Sequence, residues 1–365
     1  MTPDARAARQ AALVAALDER ELDGLIVSHP ANIRYLTGFT GSSGLLLVAR
    51  RDLVFFSDFR YRTQAEAEVG PAMRIEIVPS DLWARLWLVV GEIAGIGTLG
   101  FEAQSLTVNE MRRAREGAKR RVRLEPVDDA VERLRVSKSP DEVAAIRAAG
   151  SLAVEALDAT LPTIAVGRRA RDVAARLEYE LRLRGSEWHP FPTIAAAGAR
   201  SALPHAGTDD REIAAGDWLL LDFGARVDGY CADVTRTVVV GRRADEKQRA
   251  IYGLVEEAQR RARTEIRAGM TGQQADALAR TIIESRGLGD AFGHSLGHGL
   301  GLEVHEAPRV SRVNESPLPE RAVVTIEPGV YLPGWGGVRI EDDVYLGPDG
   351  PELLTDGDTE LRELV

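Results

Sequence analysis

Apolar and polar residues follow two different spacings along the first third of the chain. Residues 5–20 place apolar side chains at helical intervals, which predicts an amphipathic helix. Helical intervals return around residues 81–94 and 107–118. Between the first helix and these stretches lie four apolar runs with the length of strands: LDGLIVS, SGLLLVA, DLVFFSD and RIEIVP. Strands interleaved with helices predict an α/β domain.

A helix start signal near residue 139 indicates where a second domain begins. Ser139 is suited to cap the helix, Pro140 to take its first position, and Glu142 to complete a capping box. At about 100–200 residues per domain, a chain of 365 residues accommodates two domains. We predict domains over residues 1–135 and 136–365.

The second domain contains an internal repeat. Gly167 and Gly185 bound a helical segment that resembles the segment bounded by Gly269 and Gly287, with the same offset at both pairs. Another helix precedes each segment, and two strand-like runs joined by a turn follow it. The repeat predicts an α+β domain made of a duplicated helix-helix-hairpin unit.

Both predicted hairpins carry carboxylates inside apolar runs. Asp222 and Asp233 lie eleven residues apart in the first hairpin, and Glu327 and Glu341 take comparable places in the second. Regular pairing about each midpoint would place Asp222 opposite Asp233 and Glu327 opposite Glu341. Opposed residues have Cβ atoms about 4.5–5.5 Å apart, where like charges repel. Buried carboxylates this close must share a proton or a cation.

Histidines decide between these two possibilities. Three of the six histidines, His294, His298 and His305, lie inside one glycine-rich stretch between the hairpins, where they span twelve residues. Carboxylates with imidazole form an oxygen and nitrogen ligand set that suits Mn²⁺, with Zn²⁺ or Co²⁺ as alternatives. Four carboxylates carry too much charge for one divalent ion, so we expect two ions with a water molecule activated between them.

Other catalytic motifs fit the sequence poorly. His294 and His298 are four residues apart, but Ser295 stands where a His-Glu-x-x-His zinc protease needs its glutamate. Residues 293–297 have the spacing Gly-x-Ser-x-Gly, but the glycines at 293, 297 and 299 weaken a helix there, so the sequence does not indicate the strand-to-helix nucleophile elbow of serine hydrolases. Cys231 lies two residues from Asp233, whose charge would raise the pKa of the thiol and make it a poor nucleophile.

The charge balance excludes some classes of function. The chain has 46 basic and 56 acidic residues, a formal net charge of −10, which argues against a nucleic-acid partner. Up to residue 138 there are 20 basic and 19 acidic residues; the remainder has 26 and 37, so it carries the acidity. A single cysteine, a charged N-terminal segment and the lack of about 18 consecutive apolar residues indicate a cytoplasmic protein without a membrane partner.

The order Asp222, Asp233, His298, Glu327, Glu341, with GHSLGHGLGLEVHEAP around the histidine, resembles the M24 metallopeptidases of pita-bread fold. Within that family it is similar to the Xaa-Pro peptidases, aminopeptidase P and prolidase. The resemblance covers essentially the whole chain. It implies a creatinase-like N-terminal domain of α/β type and a pita-bread catalytic domain.

The resemblance also implies how these five side chains bind two divalent metal ions. Asp222 and Asp233 would hold one ion. Asp233, His298, Glu327 and Glu341 would hold the other, with Asp233 and Glu341 bridging. Glu327 would in addition accept a proton from the attacking water.

Further residues would handle the peptide in such a family member. His205 and His305 would donate hydrogen bonds to the developing oxyanion or to the proline carbonyl. His294, Tyr331 and Arg339 would line the substrate region. A homodimer is also expected from the resemblance.

The expected activity is that of an Xaa-Pro aminopeptidase, which releases the N-terminal residue from peptides with proline in second position. The nearest alternative is a prolidase restricted to dipeptides, and the choice depends on whether the N-terminal domain blocks the cleft, with the loop Asn32–Gly44 as the candidate contact. Methionine aminopeptidases share the five ligands but normally lack the N-terminal domain. Metal-free creatinase-fold binding proteins lose ligands that are all present here.

Overall fold

The structure is a computed structural model that describes residues 3–71, 73–119 and 121–365. The chain divides into two units, Met1–Arg135 and Val136–Val365, which are described separately. Among the described residues, every helix is too short or too polar to span a membrane.

One mixed sheet of six strands organises the first unit. Its elements are, in chain order, α1 (Pro3–Asp18), β1 (Gly24–Val27), α2 (Pro30–Thr37), β2 (Leu45–Ala49), β3 (Leu53–Asp58), α3 (Arg62–Glu68), β4 (Arg74–Val78), α4 (Leu82–Glu92), β5 (Thr98–Glu102), α5 (Val108–Ala118), β6 (Arg123–Val127) and α6 (Glu132–Val136). The strand order is β4-β3-β2-β1-β5-β6; β2 is antiparallel to β1 and β3, and the other pairs are parallel. The predicted α/β class of this unit is confirmed.

The sequence predicts a loop over Asn32–Gly44, but the structure shows that the first residues of this segment belong to α2. The helix begins at Pro30, whose fixed φ suits a first helical position, and it buries Ile33 and Leu36. It ends at Gly38, which has a left-handed φ of 82° and donates its backbone N–H to the Arg34 carbonyl. The many turn-forming residues of this segment therefore include a helix stop signal.

The second unit contains the predicted duplication. Its elements are α7 (Pro140–Thr160), α8 (Ala170–Leu183), β7 (Ile194–Ala197), β8 (Trp218–Phe223), β9 (Arg226–Val227), β10 (Tyr230–Cys231), β11 (Val234–Val240), α9 (Glu246–Glu265), α10 (Gly272–Ser285), β12 (Gly297–Gly299), β13 (Glu306–Val310), β14 (Val323–Ile326), β15 (Gly329–Leu332), β16 (Gly336–Arg339), β17 (Asp342–Gly347), β18 (Gly350–Leu353) and β19 (Glu363–Leu364). Helix α7 starts with the predicted capping box between Ser139 and Glu142.

Each copy of the repeat places two helices on an antiparallel sheet. In the first copy, α7 and α8 pack on β7, β8 and β11; in the second, α9 and α10 accompany β12, β14 and β17. The full strand orders are β19-β11-β8-β7 and β13-β12-β14-β17-β18. A separate buried apolar cluster forms the core of each copy. This arrangement confirms the predicted α+β unit.

The register of the first hairpin differs from the prediction. Asp222 on β8 pairs with Thr235 on β11, not with Asp233. The turn explains the shift, since Asp228 and Gly229 have φ angles of 49° and 80°, which centres a two-residue turn on this Asp-Gly pair. The midpoint between the two aspartates lies one residue before the centre of this turn. The predicted partner of Asp222, Asp233, therefore lies two residues before the observed partner, Thr235.

The second hairpin has the predicted register. Ile326 pairs with Asp342 and Gly329 with Arg339, so Glu327 and Glu341 lie opposite one another between these two ladders. An isolated antiparallel bridge then joins Glu341 to Thr235 of the first repeat. Strands from both repeats consequently line up Asp222, Thr235, Glu341 and Glu327 in one row.

Candidate metal centre

All five predicted metal ligands lie on or next to strands of the two repeats. Asp222 is on β8 and Asp233 directly precedes β11, while His298 is on β12. Glu327 directly follows β14 and Glu341 directly precedes β17. The apolar residues of these strands fill the cores of the two repeats. The carboxylates lie near the bridge between Thr235 and Glu341, where strands of the two repeats meet.

Four of these side chains approach one another closely. One ligand atom from each of Asp233, His298 and Glu341 lies within 4.8 Å of the others. Nε2 of His298 is 3.8 Å from Oδ2 of Asp233 and 3.5 Å from Oε1 of Glu327. Asp222 is not part of this group among the described residues; its Oδ2 accepts a hydrogen bond from Nη2 of Arg339.

Burial raises the pKa of all four carboxyl groups. The pKa of Glu327 rises to about 8, and that of Asp222 also rises. The pKa values of Asp233 and Glu341 rise well above their ordinary range, first through burial and then through the neighbouring carboxylates. Carboxyl groups in such a site need either protons or cations to be stable.

The donor atoms fit divalent metal ions. Oδ1 of Asp233 is buried and has no hydrogen-bond partner among the described residues. Burial lowers the pKa of His298 to about 4, so its imidazole is neutral at pH 7. With a proton on Nδ1, which is 3.1 Å from the Gly299 carbonyl oxygen, the Nε2 lone pair faces the carboxylates. A lone pair directed at carboxylates is favourable when a cation lies between them.

Two residues that support these ligands are not identified by the sequence analysis. Oγ1 of Thr235 donates a hydrogen bond of 2.6 Å to Oε2 of Glu341, and Oδ2 of Asp343 accepts one of 3.0 Å from the backbone N–H of Asp233. Thr235 follows Asp233 by two residues, and Asp343 follows Glu341 by two. Side chains two apart on a strand share a face, and this spacing is the signal that could have found them.

His294, Tyr331 and Arg339 form a hydrogen-bonded chain beside the carboxylates. Nη1 of Arg339 donates to the Tyr331 hydroxyl over 2.8 Å, and that hydroxyl lies 3.0 Å from Nε2 of His294. Burial raises the pKa of Tyr331 to about 12, so its proton remains to be donated to His294. Nδ1 of His294 is 2.8 Å from the Ser295 carbonyl oxygen. Both ring nitrogens of His294 are therefore satisfied within the protein, and its neutral ring offers faces and carbon edges to a ligand.

The remaining two predicted residues, His205 and His305, are exposed. The ring of His305 lies 4.4 Å from that of His298, measured between centroids. His205 follows Pro204, whose carbonyl oxygen accepts a hydrogen bond of 3.2 Å from Nη1 of Arg339. Both histidines can be reached by a ligand and lie next to members of the buried cluster. The roles of all these residues stay predictions.

Cys231 is not a candidate nucleophile in the structure. Its side chain is buried, and burial raises the pKa of the thiol to about 12. This agrees with its rejection from the sequence, although burial and not the charge of Asp233 is the main cause.

The family follows from a comparison with known proteins. Residues 144–348 match metallopeptidase family M24. The chain belongs to this family. Residues 9–137 of this M24 peptidase match the creatinase/prolidase N-terminal domain. The resemblance noted in the sequence and the predicted combination of a creatinase-like domain with a pita-bread domain are thereby confirmed. M24 metallopeptidases use divalent metal ions, which agrees with the donor set described above.

Similar proteins cover nearly the whole of this M24 peptidase. An Xaa-Pro dipeptidase of Pyrococcus furiosus is 37% identical over 353 residues, which is 96% of this chain and 98% of the relative. The structure of an Xaa-Pro dipeptidase from Bacillus anthracis has a TM-score of 0.94 at 38% identity and covers 98% of this chain and 100% of its own. An X-Pro aminopeptidase structure from Thermotoga maritima has a TM-score of 0.88 at 37% identity, covering 95% and 99%.

Proposed function

We propose that this M24 peptidase is an Xaa-Pro dipeptidase, which hydrolyses dipeptides with proline in second position. The observation that carries the proposal is the likeness to the Bacillus anthracis Xaa-Pro dipeptidase over essentially all of both chains. The Pyrococcus furiosus relative, with the same name, supports it over a similar length. This reverses the order expected from the sequence, where the aminopeptidase comes first and the dipeptidase is the alternative.

The metal centre of the proposed enzyme holds two divalent ions, Mn²⁺ in the first place, with Zn²⁺ or Co²⁺ as alternatives. Their ligands are Asp222, Asp233, His298, Glu327 and Glu341. Bound there, the ions would offset the charge of the buried carboxylates, polarise the scissile carbonyl and lower the pKa of a water molecule. Asp222 could hold an ion and keep its contact with Arg339, since a carboxylate has two oxygens.

Glu327 moves the proton of the reaction. Its carboxyl group is the most exposed of the four, and its Oε1 accepts a long hydrogen bond, 3.4 Å, from Oγ1 of Thr325. Glu327 accepts a proton from the attacking water and delivers it to the proline nitrogen as the peptide bond breaks. Because the nitrogen of an Xaa-Pro bond carries no hydrogen, its protonation is needed for it to leave as an amine.

The histidines bind and orient the peptide. His205 and His305 are exposed beside the cluster and donate hydrogen bonds to carbonyl oxygens of the substrate, which stabilises the negative charge that develops on one of them. His294 contributes differently, since its two ring nitrogens are already bonded to Tyr331 and Ser295. Its ring packs against the substrate, and the apolar proline ring is the part of an Xaa-Pro dipeptide that such a surface suits.

An Xaa-Pro aminopeptidase is the second candidate. It is favoured by the Thermotoga maritima structure named X-Pro aminopeptidase, whose identity to this chain is close to that of the dipeptidases. Both activities use the same metal centre. They differ in whether the protein accepts residues beyond the proline.

A comparison of three peptides under Mn²⁺ tests the proposal. We expect hydrolysis of Ala-Pro with a kcat/KM at least about tenfold above that for Ala-Pro-Ala, and none of Met-Ala-Ala. Preferred cleavage of Ala-Pro-Ala would support the aminopeptidase instead. Preferred cleavage of Met-Ala-Ala would overturn both. Light scattering on the same preparation tests the homodimer that we infer for the enzyme.

A further inference from the structure

Helix α10 carries a buried ion pair that the proposed chemistry does not use. Asp276 and Arg280 are 1% and 4% exposed and lie one turn apart. Nε of Arg280 is 2.5 Å from Oδ2 of Asp276, and Nη2 is 2.9 Å from Oδ1, so the guanidinium binds the carboxylate through two parallel hydrogen bonds. A buried pair of this kind is costly to desolvate and adds little net stability over apolar side chains of similar size.

The pair also binds the backbone of the segment that carries His294. Nη1 of Arg280 donates to the Phe292 carbonyl oxygen over 2.8 Å, and Nη2 donates to the His294 carbonyl oxygen over 2.7 Å. Oδ1 of Asp276 accepts a hydrogen bond of 3.1 Å from the backbone N–H of Leu296. Three alternate residues of the segment 292–296, namely Phe292, His294 and Leu296, are therefore tied to α10.

Ring contacts extend this connection to the imidazole. The guanidinium of Arg280 lies 4.1 Å over the ring of Phe292. The ring of Phe292 in turn meets that of His294 edge to face, with 5.0 Å between centroids. The orientation of His294 thus depends on Arg280 through its backbone and through its side chain.

The repeat provides an internal comparison. At the offset that aligns Gly167 with Gly269, the positions of Asp276 and Arg280 correspond to Ala174 and Glu178 on α8. The ion pair is therefore not required for packing a helix of this repeat. It is present in the copy whose following segment carries His294.

We propose that Asp276 and Arg280 are positioning residues that hold His294 in the substrate site. This rests on the proposed function, in which the ring of His294 contacts the peptide. The segment between α10 and β12 contains Gly287, Gly289 and Gly293 and has no regular structure beyond a short 3₁₀ turn, so its own backbone does little to fix it. The metal ligands lie on other strands, apart from His298, which pairs with Arg309 in the β12 ladder; one backbone hydrogen bond of 2.8 Å, from the N–H of Glu327 to the Leu296 carbonyl oxygen, also joins a ligand to the segment.

Two variants and a matched control test the proposal. Arg280→Lys keeps the charge but cannot make both carboxylate bonds and both carbonyl bonds, and Asp276→Asn keeps the shape but removes the charge. Arg184→Lys on α8 is the control, because Arg184 forms an i, i+4 pair with Glu180 in the other repeat and, in the part of the chain that the structure describes, forms no hydrogen bond with a site histidine. We expect both test variants to speed hydrogen exchange across 292–296, with no change there in the control.

Steady-state kinetics on Ala-Pro under Mn²⁺ give a second readout. We expect KM to rise at least about tenfold in the test variants, kcat to change less than about threefold, and bound metal to match the wild type. When Arg280→Lys is added to His294→Ala, we expect KM to rise less than about twofold above that of His294→Ala alone, because the histidine through which Arg280 acts is no longer present.

Several results would overturn the proposal. They are an unchanged exchange rate across 292–296, an equal effect of Arg184→Lys, or the same rise in KM with and without His294. If the wild type cleaves no Xaa-Pro dipeptide, the proposed function fails, while the exchange measurement still decides whether the ion pair fixes this segment. If Arg280→Lys does not fold, Asp276→Asn decides both readouts.

Discussion

At the scale of single residues, the site is defined by the cost of burying carboxylates. Asp233 is 5% exposed, its Oδ1 lacks a hydrogen-bond partner among the described residues, and Glu341 adds to the rise of its pKa. A buried charge that lacks a partner costs several kcal/mol, on the order of 3–5 when a buried pair is broken. Divalent ions bound by these oxygens remove that cost and are the chemistry that an M24 metallopeptidase requires.

Replacement of the histidine ligand tests this directly. In His298→Ala the nitrogen donor next to Asp233 and Glu327 is lost, and we expect hydrolysis to fall at least about 100-fold together with a loss of bound metal. His189→Ala is the control, because the ring of His189 packs at a tilt on that of Trp188 and, among the described residues, it forms no hydrogen bond or ion pair with the five ligands. Metal analysis and kinetics on the same samples give the answer. An active His298→Ala variant with full metal content would contradict the assignment.

The hydroxyl of Thr235 offers a subtler test. It donates to Glu341 and accepts from Nε of Arg339, so Thr235→Val leaves both groups without this partner while keeping the shape of the side chain. We expect the metal dissociation constant to rise about tenfold, as measured by calorimetric titration. Thr160→Val removes an equally buried hydroxyl that donates to the Ala156 carbonyl oxygen within its own helix. Equal effects of the two changes would show that Thr235 acts on general stability alone.

At the scale of elements, the position of each turn determined whether the strand register of a hairpin could be predicted from the sequence. The register between Glu327 and Glu341 follows from their midpoint at Gly334, which has a left-handed φ of 80° in the turn. The pairing of Asp222 with Asp233 fails because the Asp-Gly turn centres one residue later. Thr235 therefore lies opposite Asp222, at the position where the midpoint of the two aspartates predicts Asp233. Long-range bridges such as that between Thr235 and Glu341 leave no local signal in a sequence.

Strands with weak apolar patterns could not be predicted from the sequence either. The pattern does not predict β5 or β6. Strand β5 contains Gly100, which packs where a Cβ would meet Val127 and Leu25. Strand β6 lies at the edge of its sheet and contains Pro126, which an edge strand tolerates because one side needs no ladder hydrogen bonds. Local composition argues against both strands, and pairing with neighbours overrides it.

Helix capping at the start of α7 was predictable and can be tested. The Ser139 hydroxyl accepts a hydrogen bond from the backbone N–H of Glu142, so Ser139→Ala should lower the free energy of unfolding by about 1 kcal/mol. Ser151→Ala, on an exposed face in the middle of the same helix, is the control and should not be destabilising. Urea unfolding compares them. An unchanged midpoint in Ser139→Ala would argue against the capping box.

At the scale of the whole molecule, the net charge of −10 takes on a different meaning. The charge argues against a nucleic-acid partner, but the acidity belongs to the second unit, where Asp233, Glu327 and Glu341 surround His298 and the charge of Asp222 adds to the rise of the Asp233 pKa. Two divalent ions would add four positive charges and leave about −6. Part of the acidity is therefore the ligand set of the proposed metal centre and not a property of the surface.

The metal-free protein should show an unusual dependence of stability on pH. Its buried carboxyl groups have raised pKa values, and that of Glu327 rises to about 8 from an ordinary 4.5, so the folded state binds more protons than the unfolded state between these two values. The free energy of unfolding of the chelated protein should therefore fall as the pH rises from about 4.5 to 8. Thermal unfolding with EDTA and with Mn²⁺ measures this. Bound ions should raise the melting temperature most at the high end of this range, and identical curves would contradict the account.

The most direct test of the central claim is the number of metal ions bound per chain. The wild-type protein is stripped of metal, loaded with Mn²⁺, freed of excess by gel filtration, and analysed by mass spectrometry against its protein concentration. Two ions per chain are expected, because four carboxylates carry too much charge for one divalent ion. Fewer than one ion per chain would contradict the metal centre and, with it, the proposed peptidase mechanism.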